Sequence, residues 1–366
     1  MRVRARVATV GAALVVAVAV ACGGGADVEP QTFFVQVGAE DLSQSVQFNA
    51  FLPDNLTINA GDTIVFTKQT AEQHTVTFNV PGQQIPDFNR FTDGETVIVE
   101  ANPNFFRPAP LPDTLPPFGA RINSSVTLEG RGFLNSGSME TTDDVFRVTF
   151  AKEGAYPYVC LLHPRAMTGT IVVNEVGTAY PKTQEQYEQD STATVAALQA
   201  SSRVVLTRAQ LGVLPPRELE NGGREFTVFA GTGDTEVGLE FNRYIGGENL
   251  TVKAGDTVTW TWEQDTPFRP HTVTFLPPTV ELPPVIVEVP TGDGPPRMFV
   301  NPIVERPTHT GVAVYDGASY FNSGILIKGG PTLQTYSLRF STPGTYKYLC
   351  LIHDGTGMNG TITVVE

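Results

Sequence analysis

Four residue types recur in one order in each half of the chain. A lone His follows a Gly-Asp turn, then comes Cys-x2-His, and a Met lies a few residues on. In the first half they are His74, Cys160, His163 and Met167; in the second, His271, Cys350, His353 and Met358. Two imidazoles, one thiolate and a weak axial thioether make the donor set of a type 1, or blue, copper centre. Imidazole suits both oxidation states of copper, and soft sulfur donors favour Cu(I). The thiolate must lose its proton to bind, so metal affinity should fall at low pH. Zinc also takes Cys and His, but a thioether is the softer, copper-type donor. Four of the five histidines and both cysteines beyond residue 22 fall on the pattern, which argues against a metal-free fold with incidental histidines.

These residues sit inside a wider repeat. Asn55–Phe66 (NLTINAGDTIVF) matches Asn249–Trp260 (NLTVKAGDTVTW), and His74–Phe78 (HTVTF) returns as His271–Phe275. Asn135-Ser-Gly137 returns as Asn322-Ser-Gly324, and Tyr156-x-Tyr-x-Cys-Leu-x-His163 as Tyr346-x-Tyr-x-Cys-Leu-x-His353. Order and rough spacing hold through both halves, as a tandem duplication requires. Within each half apolar and polar residues alternate across Gly-Asp turns, as at Phe146, Val148 and Phe150. Period two with turn residues between runs predicts an antiparallel β-sandwich. The Cys then ends the penultimate strand, the Met opens the last, and the second His lies on the turn between. One hairpin supplies three ligands, and a distant loop at the same end supplies the fourth.

Two stretches, Pro81 to about Arg131 and Pro277 to about Gly317, are irregular and rich in Pro, Gly, Asn and Asp. They are either functional loops or wrapping for the sandwich edge. After Pro181, early Glu185 and Glu188 and the Ala-rich run to Ala200 predict a helix over about 183–201. The expected division is a signal peptide at 1–21, a flexible tether at 22–30 and a first domain at 31–177. A connector at 178–222 and a second domain at 223–366 follow. A length of 366 residues, with 41% hydrophobic content and 22 Phe, is enough for a real core in each half. The 35 Gly and 28 Pro favour strands and turns over helices.

The start, MRVRAR followed by an uncharged run from Val7 to Ala21, predicts an export signal. Ala19-Val20-Ala21 fits ordinary cleavage before Cys22. The same residues resemble a bacterial lipoprotein signal, with Cys22 lipidated and Gly23–Gly25 as tether, although Ala19 stands where such signals more often have Leu. Lipidation is the favoured reading, since it gives a Cys at the cleavage point a purpose. It places the protein in the periplasm or on the outer face of the cytoplasmic membrane, touching the membrane only through that anchor. Without residues 1–21 the chain has 21 basic and 38 acidic side chains, a net charge of −17. That argues against nucleic acid or anionic lipid as partners. With three cysteines, one at the processing site and one in each half, neither half can close a disulfide. An unpaired thiol in each exported half calls for another purpose, such as a metal.

Both halves resemble cupredoxins, the plastocyanin-like family of blue-copper domains. His353-Asp-Gly-Thr-Gly-Met358 is similar to the plastocyanin ligand loop, whereas His163-Pro-Arg-Ala-Met167 is one residue shorter. The resemblance implies an all-β chain of two tandem Greek-key sandwiches and two type 1 copper sites. It also implies electron transfer with redox protein partners, a cytochrome or a membrane redox complex. In this family the second ligand His is the port to a partner, so His163 and His353 are expected on exposed loops. Leu161, Leu162, Pro164, Leu351 and Ile352 would then offer apolar docking surface. Copper storage or delivery is a second reading, though Met139, Met167, Met298 and Met358 are too scattered for an open Met-rich site. A copper oxidase or nitrite-reductase-type enzyme is a third; it needs further histidines, usually His-x-His, and the chain has only His309 to spare. Trp260, Trp262, Asn135 and Asn322 have strand-packing or turn roles available, and the two Asn could also brace the ligand loops.

Overall fold

The computed structural model describes residues 29–41, 45–80, 85–93, 96–110, 120–130, 132–262, 270–292, 294–327 and 333–366. The export signal, Cys22 and nearly all of the tether lie outside the described residues. Among the described residues the fold is all-β, with one long helix. Each half has its own five-stranded sheet among the described residues. In the first, the order is Asn55–Asn59, Thr168–Asn174, Gly154–Val159, Thr77–Phe78, Leu134–Asn135; the second repeats it with Asn249–Lys253, Asn359–Val365, Gly344–Leu349, Thr274–Phe275 and Phe321–Asn322. The alternation of apolar residues places Phe146, Val148 and Phe150 inside, packed with Phe66, Phe78, Tyr158 and Cys160. The second core is built alike around Trp260, Phe275, Phe340, Tyr348 and Cys350.

The opposing sheets of the two halves are one continuous sheet. Val46–Leu52 of the first half pairs antiparallel with Leu239–Ile245 of the second, matching Phe48 with Leu239, Gln47 with Glu240, and Val46 with Phe241. Gln47-Phe48-Asn49 and Glu240-Phe241-Asn242 are themselves a repeat, so Gln47 faces its own counterpart, as a local two-fold relation requires. The apolar side of this junction packs Phe48, Val46, Leu239 and Phe241 with Val205, Leu198 and Leu206 of the connector helix. That helix runs Gln184–Gly212, beyond the expected end at 201. It opens with a capping box, Thr183 accepting from the Gln186 N–H while the Gln186 side chain accepts from Thr183 N–H.

The two Pro-rich stretches also join. Phe88–Asp93 and Thr96–Ala101 form a four-stranded sheet with Arg297–Val300 and Ile286–Val289, paired through Phe299 and Glu100. They also resemble each other: Asn102-Pro-x3-Arg107-Pro108 returns as Asn301-Pro-x3-Arg306-Pro307, each opening a short helix capped by its Asn. Salt bridges cross between the halves here, Arg107 to Glu288 at 2.8 Å and Arg297 to Glu100 at 2.6 Å.

Candidate metal centres

His74, Cys160 and His163 converge at one end of the first sandwich, and His271, Cys350 and His353 at one end of the second. All six are essentially buried. Nδ1 of His74 lies 3.2 Å from Nδ1 of His163, and Cys160 Sγ lies 3.9 and 3.4 Å from those two nitrogens. In the second set the separations are 3.0, 4.0 and 3.5 Å. Two nitrogens and a sulfur, aimed at one point from an isolated bridge, the end of a strand and the turn after it, fit a single copper ion that accepts imidazole and thiolate. Met167 and Met358 are fully buried in the same cores as the cysteines. The two ligand loops differ by one residue yet close the same backbone bonds. Cys160 N–H donates to the Met167 carbonyl and Met167 N–H to that of His163; Cys350, Met358 and His353 repeat this. The longer loop takes up its extra residue in a 3-10 turn, Asp354–Thr356, ended by left-handed Gly357.

The His-Thr-Val-Thr motif contributes more than its His. Thr75 N–H donates to Cys160 Sγ at 3.3 Å, and the Thr75 hydroxyl accepts from Leu161 N–H at 2.8 Å. That hydroxyl is linked to Thr77, which donates to Asn135 Oδ1 at 3.0 Å. Asn135 in turn donates to the carbonyl of Phe105 in the short helix. Thr272, Thr274, Leu351 and Asn322 repeat the chain. Asn135 and Asn322 therefore brace the Cys loops through two threonines, which the repeated HTVTF contained but did not announce. Burial pushes the Cys160 thiol up, against donation from the N–H groups of Thr75, His163 and Leu162. At Cys350 burial also acts upward, but His353 and the N–H groups of Thr272 and His353 outweigh it and the net direction is down.

Gly38 and Gly231, absent from the sequence-based candidates, pack against the first ligand. Both have positive φ, +75° and +85°, at a β-bulge in equivalent strands. Their signal was the repeat itself, a Gly in the same place of two aligned strands. His309 lies elsewhere, its ring 4.6 Å from that of Tyr336 and Nε2 3.3 Å from the Ser337 carbonyl. Trp262 sits beside His271 at 5.8 Å between rings, whereas Lys68 holds the equivalent place in the first half.

A family model described as copper binding proteins, plastocyanin/azurin family, matches residues 231–365. Plastocyanin of Scenedesmus fuscus is 30% identical over 116 residues, which are 32% of this chain and 81% of that protein. The chain belongs to the plastocyanin/azurin family of copper-binding proteins. Plastocyanin of Prochlorothrix hollandica is 30% identical over 115 residues, 31% of this chain and 58% of that protein. Among solved structures, a mutant amicyanin in the Cu(I) form is 20% identical, covering 38% of this chain and 82% of its own, with a TM-score of 0.21. A mutant plastocyanin of fern is 23% identical, covering 38% and 99%, also with a TM-score of 0.21.

One family expectation is overturned. His163 and His353 are only 4% and 5% exposed, because each faces the other half across the sheet junction instead of water. Nε2 of His163 stands 3.7 Å from Glu240 of the second half, and Nε2 of His353 stands 3.9 Å from Glu72 of the first. Much of the expected docking surface is also covered. Leu161 and Leu162 pack under Phe105, Phe106 and Met298, and Leu351 and Ile352 under Val99, Val300 and Val304. The Pro-rich segments supply that cover, mostly from the same half, with Met298 and Val99 contributed by the other.

Proposed function

We propose that the chain is an exported electron carrier with two type 1 copper centres, one in each half. His74, Cys160, His163 and Met167 would hold the first ion, and His271, Cys350, His353 and Met358 the second. Bound copper supplies one-electron exchange between Cu(I) and Cu(II). The observation that carries this reading is the repeated His–Cys–His cage, closed by identical backbone bonds in both halves. Burial excludes water, and ligands held between strand ends by the Cys–Met and Met–His backbone bonds keep their positions when the charge of the ion changes. The inward-facing imidazole edges of His163 and His353 favour communication between the halves, and a redox partner would be met at another part of the surface. Lipidation of Cys22 would tether the carrier to the outer face of the membrane, where redox proteins are the fitting partners. Stoichiometric reduction of the oxidised mature protein under anaerobic conditions tests this. The expected result is two electrons taken up per chain with complete loss of blue colour; uptake of none, or of one, contradicts it.

A further inference from the structure

Between the two cages lies a third group of metal-type donors, built from both halves. Glu72 comes from the first half, while Glu240 and His353 come from the second; their donor atoms all lie within 4.8 Å of one another. His353 Nε2 is 3.9 Å from Glu72 Oε2 and 4.0 Å from Glu240 Oε1. On the other side of Glu240, Oε2 is 3.7 Å from His163 Nε2. These separations exceed hydrogen-bond length, about 2.7–3.2 Å. They are close to the spacing of ligands that share one ion, each about 2.0–2.2 Å from it. In the two copper cages the donor separations run from 3.0 to 4.0 Å, a range that takes in these distances.

Charge and support point the same way. Glu240 and Glu72 are 2% and 8% exposed, and charged groups so deeply buried are paired or coordinate metals. The buried ammonium of Lys68 feels Asp144, Glu140, Glu72 and Glu40 together, so no one of these carboxylates has it to itself. Asn242 Nδ2 donates to Glu72 Oε2 at 3.2 Å and Asn49 Nδ2 to Glu240 Oε2 at 3.4 Å. Such outer partners hold ligating carboxylates in place. The two Asn are repeat counterparts on the polar side of the sheet junction.

We infer that Glu72, Glu240 and His353, with His163 Nε2 alongside, form a third site that takes a divalent cation of the zinc type. One imidazole and two carboxylates are donors that Zn(II) accepts, and the two carboxylates balance its charge. His353 presents Nδ1 to the Cys350 cage and Nε2 to this site, so one ring joins two metal centres. It must give up its remaining proton to do so. This inference rests on the proposed copper reading only for the role of Nδ1; the carboxylate site stands apart from it.

The test is full-length mature protein loaded with copper and dialysed against Zn(II), with both metals counted in total by elemental analysis. One zinc per chain beyond two coppers is expected. Glu72→Gln and Glu240→Gln should each weaken that zinc at least tenfold while copper stays at two per chain. Zinc binding should also shift the visible absorption of the wild-type protein through His353, which a merely structural role for the carboxylates would not do. No zinc beyond copper, or zinc held equally by both variants, overturns the site. Should one variant fail to fold, the other decides. Two coppers without zinc would sink this site and leave the carrier reading intact. Zinc lost in Glu72→Gln from a chain that takes no copper would do the reverse.

Discussion

A Cβ built on Gly38 would stand 2.3 Å from Nε2 of His74, and one on Gly231 2.2 Å from Nε2 of His271. Both contacts are far inside van der Waals distance, and the positive φ adds about 1–2 kcal/mol for any side chain. Gly38→Ala should therefore displace His74 and lower copper from two to one per chain, with the second site unaffected; Gly231→Ala should do the reciprocal. Two coppers retained in both variants would mean the rings can move aside. A different residue sets a pH dependence. Burial pushes Glu140 up to about 7 from 4.5, against donation from Ser138 and the charge of Lys68. The folded protein thus holds this proton more tightly than the unfolded chain. The resulting stabilisation is complete below about 4.5 and is lost as pH rises through about 7. Glu140→Gln should leave the melting temperature nearly unchanged at pH 5 and raise it by several degrees at pH 8. An equal change at both pH values would contradict the assignment.

At the scale of elements, the junction of Val46–Leu52 with Leu239–Ile245 decides how the halves meet. Phe48 and Phe241, each 1% exposed, share one cluster with Val205 of the connector helix. Truncating either to Ala should cost about 3–5 kcal/mol. Because they share packing neighbours, the double variant should cost less than the sum; strict additivity in chemical denaturation would show that the cluster does not couple the halves. This junction was hard to read beforehand. Val46-Gln-Phe-Asn and Leu239-Glu-Phe-Asn alternate as a strand with one face in water would, yet Gln47, Asn49, Glu240 and Asn242 are all buried. Alternation reports two different faces, not what covers the polar one. The Pro-rich segments hid their strands similarly, since their pairing is with each other across about 200 residues of sequence.

For the whole molecule, the recurrence of one residue pattern made the ligands legible: eight positions could be named because four residue types appeared twice in the same order. Local spacing also gave the strand–turn–strand hairpin that carries Cys160, His163 and Met167. What spacing could not give was the relation between the halves. The family resemblance implies a second His on an exposed loop, whereas His163 and His353 are buried where the two halves meet. Both cages should behave as type 1 copper centres within one protein. Copper content measured together with the visible absorption spectrum of the oxidised mature chain tests it most directly. Two coppers per chain with intense blue absorption, halved in Cys160→Ala and again in Cys350→Ala, is the predicted result. Protein that stays colourless after Cu(II) and oxidant, or whose colour survives loss of either cysteine undiminished, would contradict it.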